Sequence, residues 1–339
     1  MNWLVTPSRF EGLPGAGQWK DLHGIRLVLD RLGIDWGEFR FSGANIGELA
    51  DRIGEAADTA IWYYTFWPEA MAELKRRCPR TRMVLRTVNA EAFQHWLRAG
   101  KDWTRLRGLP RDVYGFVRLL WRDRRCAHLA DALAGISPWD DARYWRCLAG
   151  RDKVFSAPYL CPWPVLLPTV LPRPWVERED RIVCLAGARD VIGRAHLEGF
   201  AALARRPEWT GWQFSASQGL IGDGHDDLPE NVERLGCLDE PWSLLCRAKA
   251  VAVLSPVGYG FKTTIADALA AGCHVLVHPR QHARLALEDR CRTLACEPNS
   301  ADLPALAATL AAPPELTAAA AQAEQLERTI GAWRQVLAG

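Results

Sequence analysis

Residues 255–277, SPVGYGFKTTIADALAAGCHVLV, set glycine, lysine and paired threonine where an apolar run gives way to a helical pattern. Gly258 and Gly260 can take positive φ and let a ligand approach the backbone. The helix opens at Thr263 or Thr264, each a candidate N-cap. Free N–H groups and the positive end of the helix dipole then face whatever lies above the turn, which favours a phosphate. Lys262 adds a full charge at that spot. Asp267 lies about one turn further on, on the face of Thr263, and can accept hydrogen bonds from sugar hydroxyls. Glycine turns alone would not separate this segment from an ordinary strand–turn–helix. The convergence of Gly, Lys and two Thr on one helix start does.

A second candidate is aromatic. Trp62-Tyr63-Tyr64-Thr65-Phe66-Trp67 closes an apolar run, and alternation of faces along a strand sends some of these rings into the core. Phe66 and Trp67, at its end, are placed either to pack there or to stack on a sugar or other flat apolar face. His23 and Glu11 are candidates to act on a hydroxyl, against the plain reading of a solvated histidine on a helix surface.

These residues must be held by alternating elements. Strand candidates lie at 2–7, 59–65, 82–88, 132–137 and 153–159, then at 181–187, 212–217, 232–237, 250–255 and 274–278. Helical periodicity fills most gaps. Continuous apolar strands, each followed by a helix, argue for parallel sheets covered on both faces. Residues 161–175, CPWPVLLPTVLPRPW, hold five prolines and read as an extended linker. The expectation is α/β: two doubly wound, Rossmann-like domains, 1–165 and 166–320, with a C-terminal helix over 321–339. Ligands of such sheets bind at the carboxyl ends of the strands, here in a cleft between the domains.

Composition narrows the class. The chain has 339 residues, 49% hydrophobic and 24% charged, which excludes disorder and fibrous repeats. No apolar run approaches the roughly 18 residues of a membrane-spanning helix, and the N-terminus has no secretory pattern. The ten cysteines are scattered without metal spacing and read as small core residues of a cytoplasmic protein. Asp140-Asp141 and Asp226-Asp227 lack supporting ligands, so no metal is expected. Residues 1–173 carry 26 Lys/Arg against 19 Asp/Glu, and the remainder 16 against 21. Either that asymmetry is a solvated surface, or the first half handles an anionic partner.

The 255–277 segment resembles the C-terminal signature of GT-B glycosyltransferases, in particular the retaining family-4-like group. Ser255-Pro256, Gly260-Phe261, Ala268-Leu269-Ala270-Ala271-Gly272 and Val275 match. Asp267 stands for the Glu that holds the ribose. Tyr259 stands for the other Glu, Lys262 for a glycine and His274 for a proline. CLAGARDVIGRAHLEGFAAL (184–203) is similar to the strand and loop whose two cations hold the donor diphosphate, at Arg189 and Arg194 here. The loop around Cys237–Glu240 is where the resemblance seats the base. VLRTVNAEAFQHW (84–96) resembles the family's Arg-Ser-His-Asn-x-Glu, with Val88 for the histidine and Glu91 for the Glu. ADALAGISPWDDARYW (130–145) resembles the strand before the linker. FEGLPGAGQWKD (10–21) is similar to the glycine-rich loop under donor and acceptor, with Gly15 and Gly17 as close-approach points.

The resemblance implies sugar transfer from a nucleotide-diphosphate donor, a UDP- or GDP-sugar, with retention and without a protein nucleophile. Arg189, Arg194, Lys262 and the helix N-terminus would neutralise the leaving group in place of a metal or other cofactor. Gly258, Tyr259, Gly260, Phe261, Thr263, Thr264 and Asp267 form the donor side; Gly15, Gly17, His23, Phe66, Trp67 and Glu91 form the acceptor side. The basic first half suits an anionic bacterial glycan or lipid-linked acceptor, with polysaccharide biosynthesis at the inner membrane face as the setting. Nucleic acid is disfavoured, since no base-reading module accompanies the charge. The alternatives are a catalytically impaired nucleotide-sugar-binding partner protein and a nucleotide-sugar epimerase on the same fold.

Overall fold

A computed structural model describes residues 1–8, 16–42, 45–53, 58–99, 109–185, 191–218 and 228–338. The chain forms two compact units. The first comprises Met1–Leu160, Tyr259–Phe261 and Leu326–Gly339, the second Cys161–Gly258 and Lys262–Gln325.

The first unit is built on a parallel sheet of six strands: β1 Asn2–Pro7, β2 Trp36–Phe41, β3 Thr59–Tyr63, β4 Arg82–Thr87, β5 Ala132–Gly135 and β6 Val154–Ser156. Their order is β2-β1-β3-β4-β5-β6. Alternate residues serve opposite faces, as the period of two requires. Val5, Trp62, Met83, Leu85 and Leu133 enter one core, while Leu4, Ile61, Tyr63, Val84 and Ala132 enter the other. Strands buried on both faces read as unbroken apolar runs, which is why most were visible in sequence. β2 was not expected. It is an edge strand whose WGEFRF interleaves charge with aromatic residues, and only Phe39 and Phe41 of it are buried.

The second unit carries β7 Glu179–Leu185, β8 Gln213–Gln218, β9 Val232–Cys237, β10 Ala248–Val253, β11 His274–Val277 and the two-residue β12 Leu294–Ala295. All pair parallel in the order β12-β11-β10-β7-β8-β9. Both sheets therefore reverse their winding direction once, between β1 and β3 in the first unit and between β7 and β10 in the second. Crevices at such switch points are where doubly wound sheets bind ligands.

The proline-rich stretch is not wholly extended. Trp163–Leu166 forms one helical turn and Trp175–Glu177 a 3-10 turn, with Cys161 and Trp163 buried. Proline suits a first turn, where its missing N–H would have no intrahelical partner. All ten cysteines are free, but Cys147, Cys237 and Cys291 are exposed and do not belong to the core.

Candidate functional site

In the second unit β10 runs out at Val253 and the turn follows. Ser255, buried, donates its hydroxyl to the Val257 carbonyl at 2.7 Å and fixes the start of the turn. Gly258 has φ 133° and Gly260 φ 76°, backbone that side chains with a Cβ rarely adopt. The helix begins at Thr263, but the cap position belongs to Lys262, and no side chain caps it. Neither threonine is the N-cap. Thr263 and Thr264 are the first two helical residues and are half-buried.

Lys262 folds back over the turn, for a Cβ placed on Gly258 would lie 3.1 Å from its Nζ and 3.4 Å from Gln281 Nε2. Gln281, only 4% exposed, leaves that Nε2 without a hydrogen-bond partner. Arg284 donates to the Gly258 carbonyl. Two cations and an unsatisfied amide donor thus gather around one glycine, a set of groups that complements phosphate oxygens. Sequence reasoning missed Gln281 and Arg284. They follow β11, and only parallel pairing of β10 with β11 brings that stretch beside the turn.

Asp267, on the same helix, is completely buried. Arg194 is exposed on the first turn of the helix Val191–Ala204. His196 of that helix is held down to about 4 by burial, with the nearby Lys262 charge acting in the same direction. It is therefore neutral at physiological pH. Arg189 lies outside the described residues, as do Glu11, Gly15 and the Asp226-Asp227 pair. In the expected base-seating loop Glu240 accepts from Ser243 N at 2.9 Å and Oγ at 2.6 Å.

In the first unit the carboxyl end of β3 carries the aromatic turn. Tyr64 and Trp67 both have positive φ, 75° and 53°. A left-handed non-glycine residue costs on the order of 1–3 kcal/mol and persists only where the surroundings impose it. Here Tyr64 N–H donates to the Arg86 carbonyl at 3.1 Å and Trp62 Nε1–H to the Phe66 carbonyl at 3.1 Å. The Tyr64 hydroxyl donates to Glu91, and Asn89 Nδ2 reaches Glu91 at 3.1 Å. Burial, and then the charge of Glu91, raise the Tyr64 phenol well above its usual value. Phe66 stacks on Tyr64 at 4.6 Å, and Trp67 packs edge-on against Phe41 at 4.8 Å. Both are half-buried.

Beneath this turn lie two buried ionic groups that sequence reasoning did not find. Arg86 is fully buried and holds Asp21 through two bonds of 3.0 and 2.6 Å. Asp123, also fully buried, accepts from Thr65 Oγ1 and from the Tyr144 hydroxyl, each at 2.7 Å. Burial pushes its carboxyl up to about 6. Asp141, on the π-helical turn Asp141–Trp145, is buried with neither oxygen hydrogen-bonded. Burial and the adjacent Asp140 charge raise its carboxyl well above the usual range.

Gly17 opens the helix Gly17–Arg31, which bears His23. His23 is not a solvated side chain. It packs against Trp19 at 4.1 Å and lies 3.3 Å from Arg26, and burial together with the Arg26 charge lowers it to about 4. Tyr259–Phe261 group with this unit, where Gly260 N–H donates to Asp140 at 2.6 Å and Tyr259 N–H to Gln94 at 3.0 Å. The Tyr259 ring packs on Phe93 and Trp139, at 5.4 and 5.9 Å. Val88, the other departure from the resembled motif, is a buried core residue. A Cβ at Gly260 would collide with the Asn89 side chain, so a larger residue here would have to displace it.

Two six-stranded parallel sheets, each with one winding reversal and loops carrying the polar groups at that point, decide the architecture. The chain has the GT-B fold. HepE from Anabaena, solved in complex with UDP and glucose, shares it with a TM-score of 0.58 at 14% identity, over 100% of this chain and 98% of that one. Sucrose-phosphate synthase from Thermosynechococcus elongatus gives 0.57 at 16%, over 99% and 96%. AviGT4, a glycosyltransferase involved in avilamycin A biosynthesis, gives 0.58 at 15%, over 100% and 98%. No family model matches the chain, and no curated protein sequence matches it significantly. At these identities the GT-B likeness concerns the fold.

Proposed function

We propose that the protein is a glycosyltransferase that moves a sugar from a nucleoside diphosphate donor, a UDP- or GDP-sugar, to an acceptor with retention. One observation carries the reading. The turn after β10, at the switch point of the second sheet, surrounds Gly258 with Lys262, Arg284 and the unsatisfied amide of Gln281. That HepE binds UDP on the same fold supports it.

In this reading Lys262, Arg194, Arg189 and the helix start at Thr263 and Thr264 take the diphosphate. Gly258 gives it close access to the backbone, and Asp267 takes the ribose hydroxyls. Positive side chains stabilise the charge that develops on the departing phosphate, so no metal is required. On the acceptor side Phe66 and Trp67 stack on a sugar, with Glu91, Gly17 and His23 assigned to the same side. The basic excess of the first half favours an anionic glycan or lipid-linked acceptor.

Tyr259 favours a second reading. Where the resembled motif has a carboxylate for the donor sugar, this ring packs on Phe93 and Trp139. A protein that binds a nucleotide sugar without turning it over would tolerate that exchange. Incubation with UDP- and GDP-sugars, with and without glycan acceptors, separates the two. Sugar transfer supports the enzyme; donor binding without transfer or hydrolysis supports the binding protein; neither rejects both.

A further inference from the structure

The helix Leu109–Leu129 has two faces of opposite character. Asp123, Cys126 and Ala127 are buried on one, with Phe116, Leu119 and Leu120 packed on the core beside them. On the other, Val113, Tyr114, Val117 and Trp121 stand 42, 68, 55 and 50% exposed. Their three- and four-residue spacing aligns them in one stripe. With Leu109, this helix holds five of the eleven exposed large apolar side chains among the described residues. Such a concentration is a patch, which marks an interaction site.

Charge borders the stripe on one side. Arg111, Arg118 and Arg125 recur every seven residues and form a column along its flank, all exposed, and the Arg125 guanidinium lies 5.3 Å over the Trp121 ring. Arg124 is exposed as well, within 3.3 Å of His128. The two acids of the helix are withdrawn: Asp123 is buried and Asp112 half-buried. Val117, Trp121, Arg124, His128, Cys147 and Leu148 line a recess of about 510 Å³ beside it.

We propose that this face docks on an anionic phospholipid bilayer, with the helix lying in the plane of the interface. Tyr114 and Trp121 would sit at headgroup depth, and the arginine column would meet lipid phosphates. Apolar and aromatic side chains bordered by uniformly basic ones are what such a surface selects. A second copy is a poorer occupant, because a two-fold contact would set the basic column against itself.

Docking here has a consequence for the site. Asp123 and Arg122 of this helix contact Thr65 and Phe66, so the bilayer would lie beside the element that carries the aromatic turn. The inference does not require the transferase reading, since vesicle binding is measured without donor or acceptor.

The test is flotation of the full chain with vesicles of phosphatidylcholine alone or mixed with phosphatidylglycerol. The expected result is binding to the mixed vesicles only, weakening as salt rises. Arg111→Gln, Arg118→Gln and Arg125→Gln together should weaken it roughly a hundredfold, about fivefold per arginine. Val117→Ser with Trp121→Ser should weaken it at least about tenfold. Unchanged thermal midpoints confirm that the variants fold. No binding to mixed vesicles, equal binding to both kinds, or binding indifferent to both sets of substitutions would overturn the proposal. So would self-association of the native chain that Trp121→Ser abolishes, which would make the stripe a contact between copies.

Discussion

The carboxylate of Asp123 and the hydroxyl of Tyr144 meet at 2.7 Å in the core of the first unit, both side chains buried. The same carboxylate holds Thr65, between the left-handed residues Tyr64 and Trp67. A buried acid therefore ties a long helix to the strained turn and to the π-helical turn.

That acid should make stability depend on pH. Burial raises the folded-state value of Asp123 to about 6, above that of an unfolded chain. Its contribution is fully present below about pH 4 and is lost as pH rises through 6, at most on the order of 3 kcal/mol. Urea unfolding across this window should show the native chain losing stability relative to Asp123→Asn. Parallel profiles for the two would contradict the assignment.

Asp21→Ala should be severely destabilising. It would leave the Arg86 guanidinium uncompensated in a fully buried position, at a cost of about 3–5 kcal/mol. Equilibrium denaturation measures this directly, and a loss below about 1 kcal/mol would show that water or other groups replace the partner.

Asp267→Ala should weaken nucleoside diphosphate binding by about 1.5–3 kcal/mol, as for loss of hydrogen bonds to a charged acceptor. Because Asp267 is buried, its thermal midpoint should be read alongside. An unchanged dissociation constant in a folded variant would remove Asp267 from the ribose site.

An anionic acceptor should have a KM that rises between low and moderate salt while the donor KM moves little, because screening shortens the reach of exposed charges. A flat acceptor KM would make the charge asymmetry a solvated surface and favour a neutral acceptor.

Most strands were legible because a strand covered on both faces is largely apolar; β9 was legible as well, although it is an edge strand carrying Glu233 and Arg234. β2 escaped because an edge strand can carry Glu38 and Arg40 and still pair with β1. The glycine turn was legible because local chemistry marks a helix start. Gln281, Arg284 and the Asp21–Arg86 pair were not, since each acquires its meaning from a partner distant in sequence. Asp123 was hidden among the arginines of residues 122–125, where a charge run reads as solvated surface. The Lys262 cap position shows the limit at the turn itself: paired threonines announce a helix start without fixing which residue precedes it.

The most direct test of the donor site is calorimetric titration of UDP and GDP into the native chain in EDTA, beside Lys262→Ala. The account predicts that one of them binds without divalent metal and that the variant loses at least about tenfold in affinity, as for a charged hydrogen bond removed. No binding in EDTA, but tight binding once Mg²⁺ or Mn²⁺ is added, would contradict it.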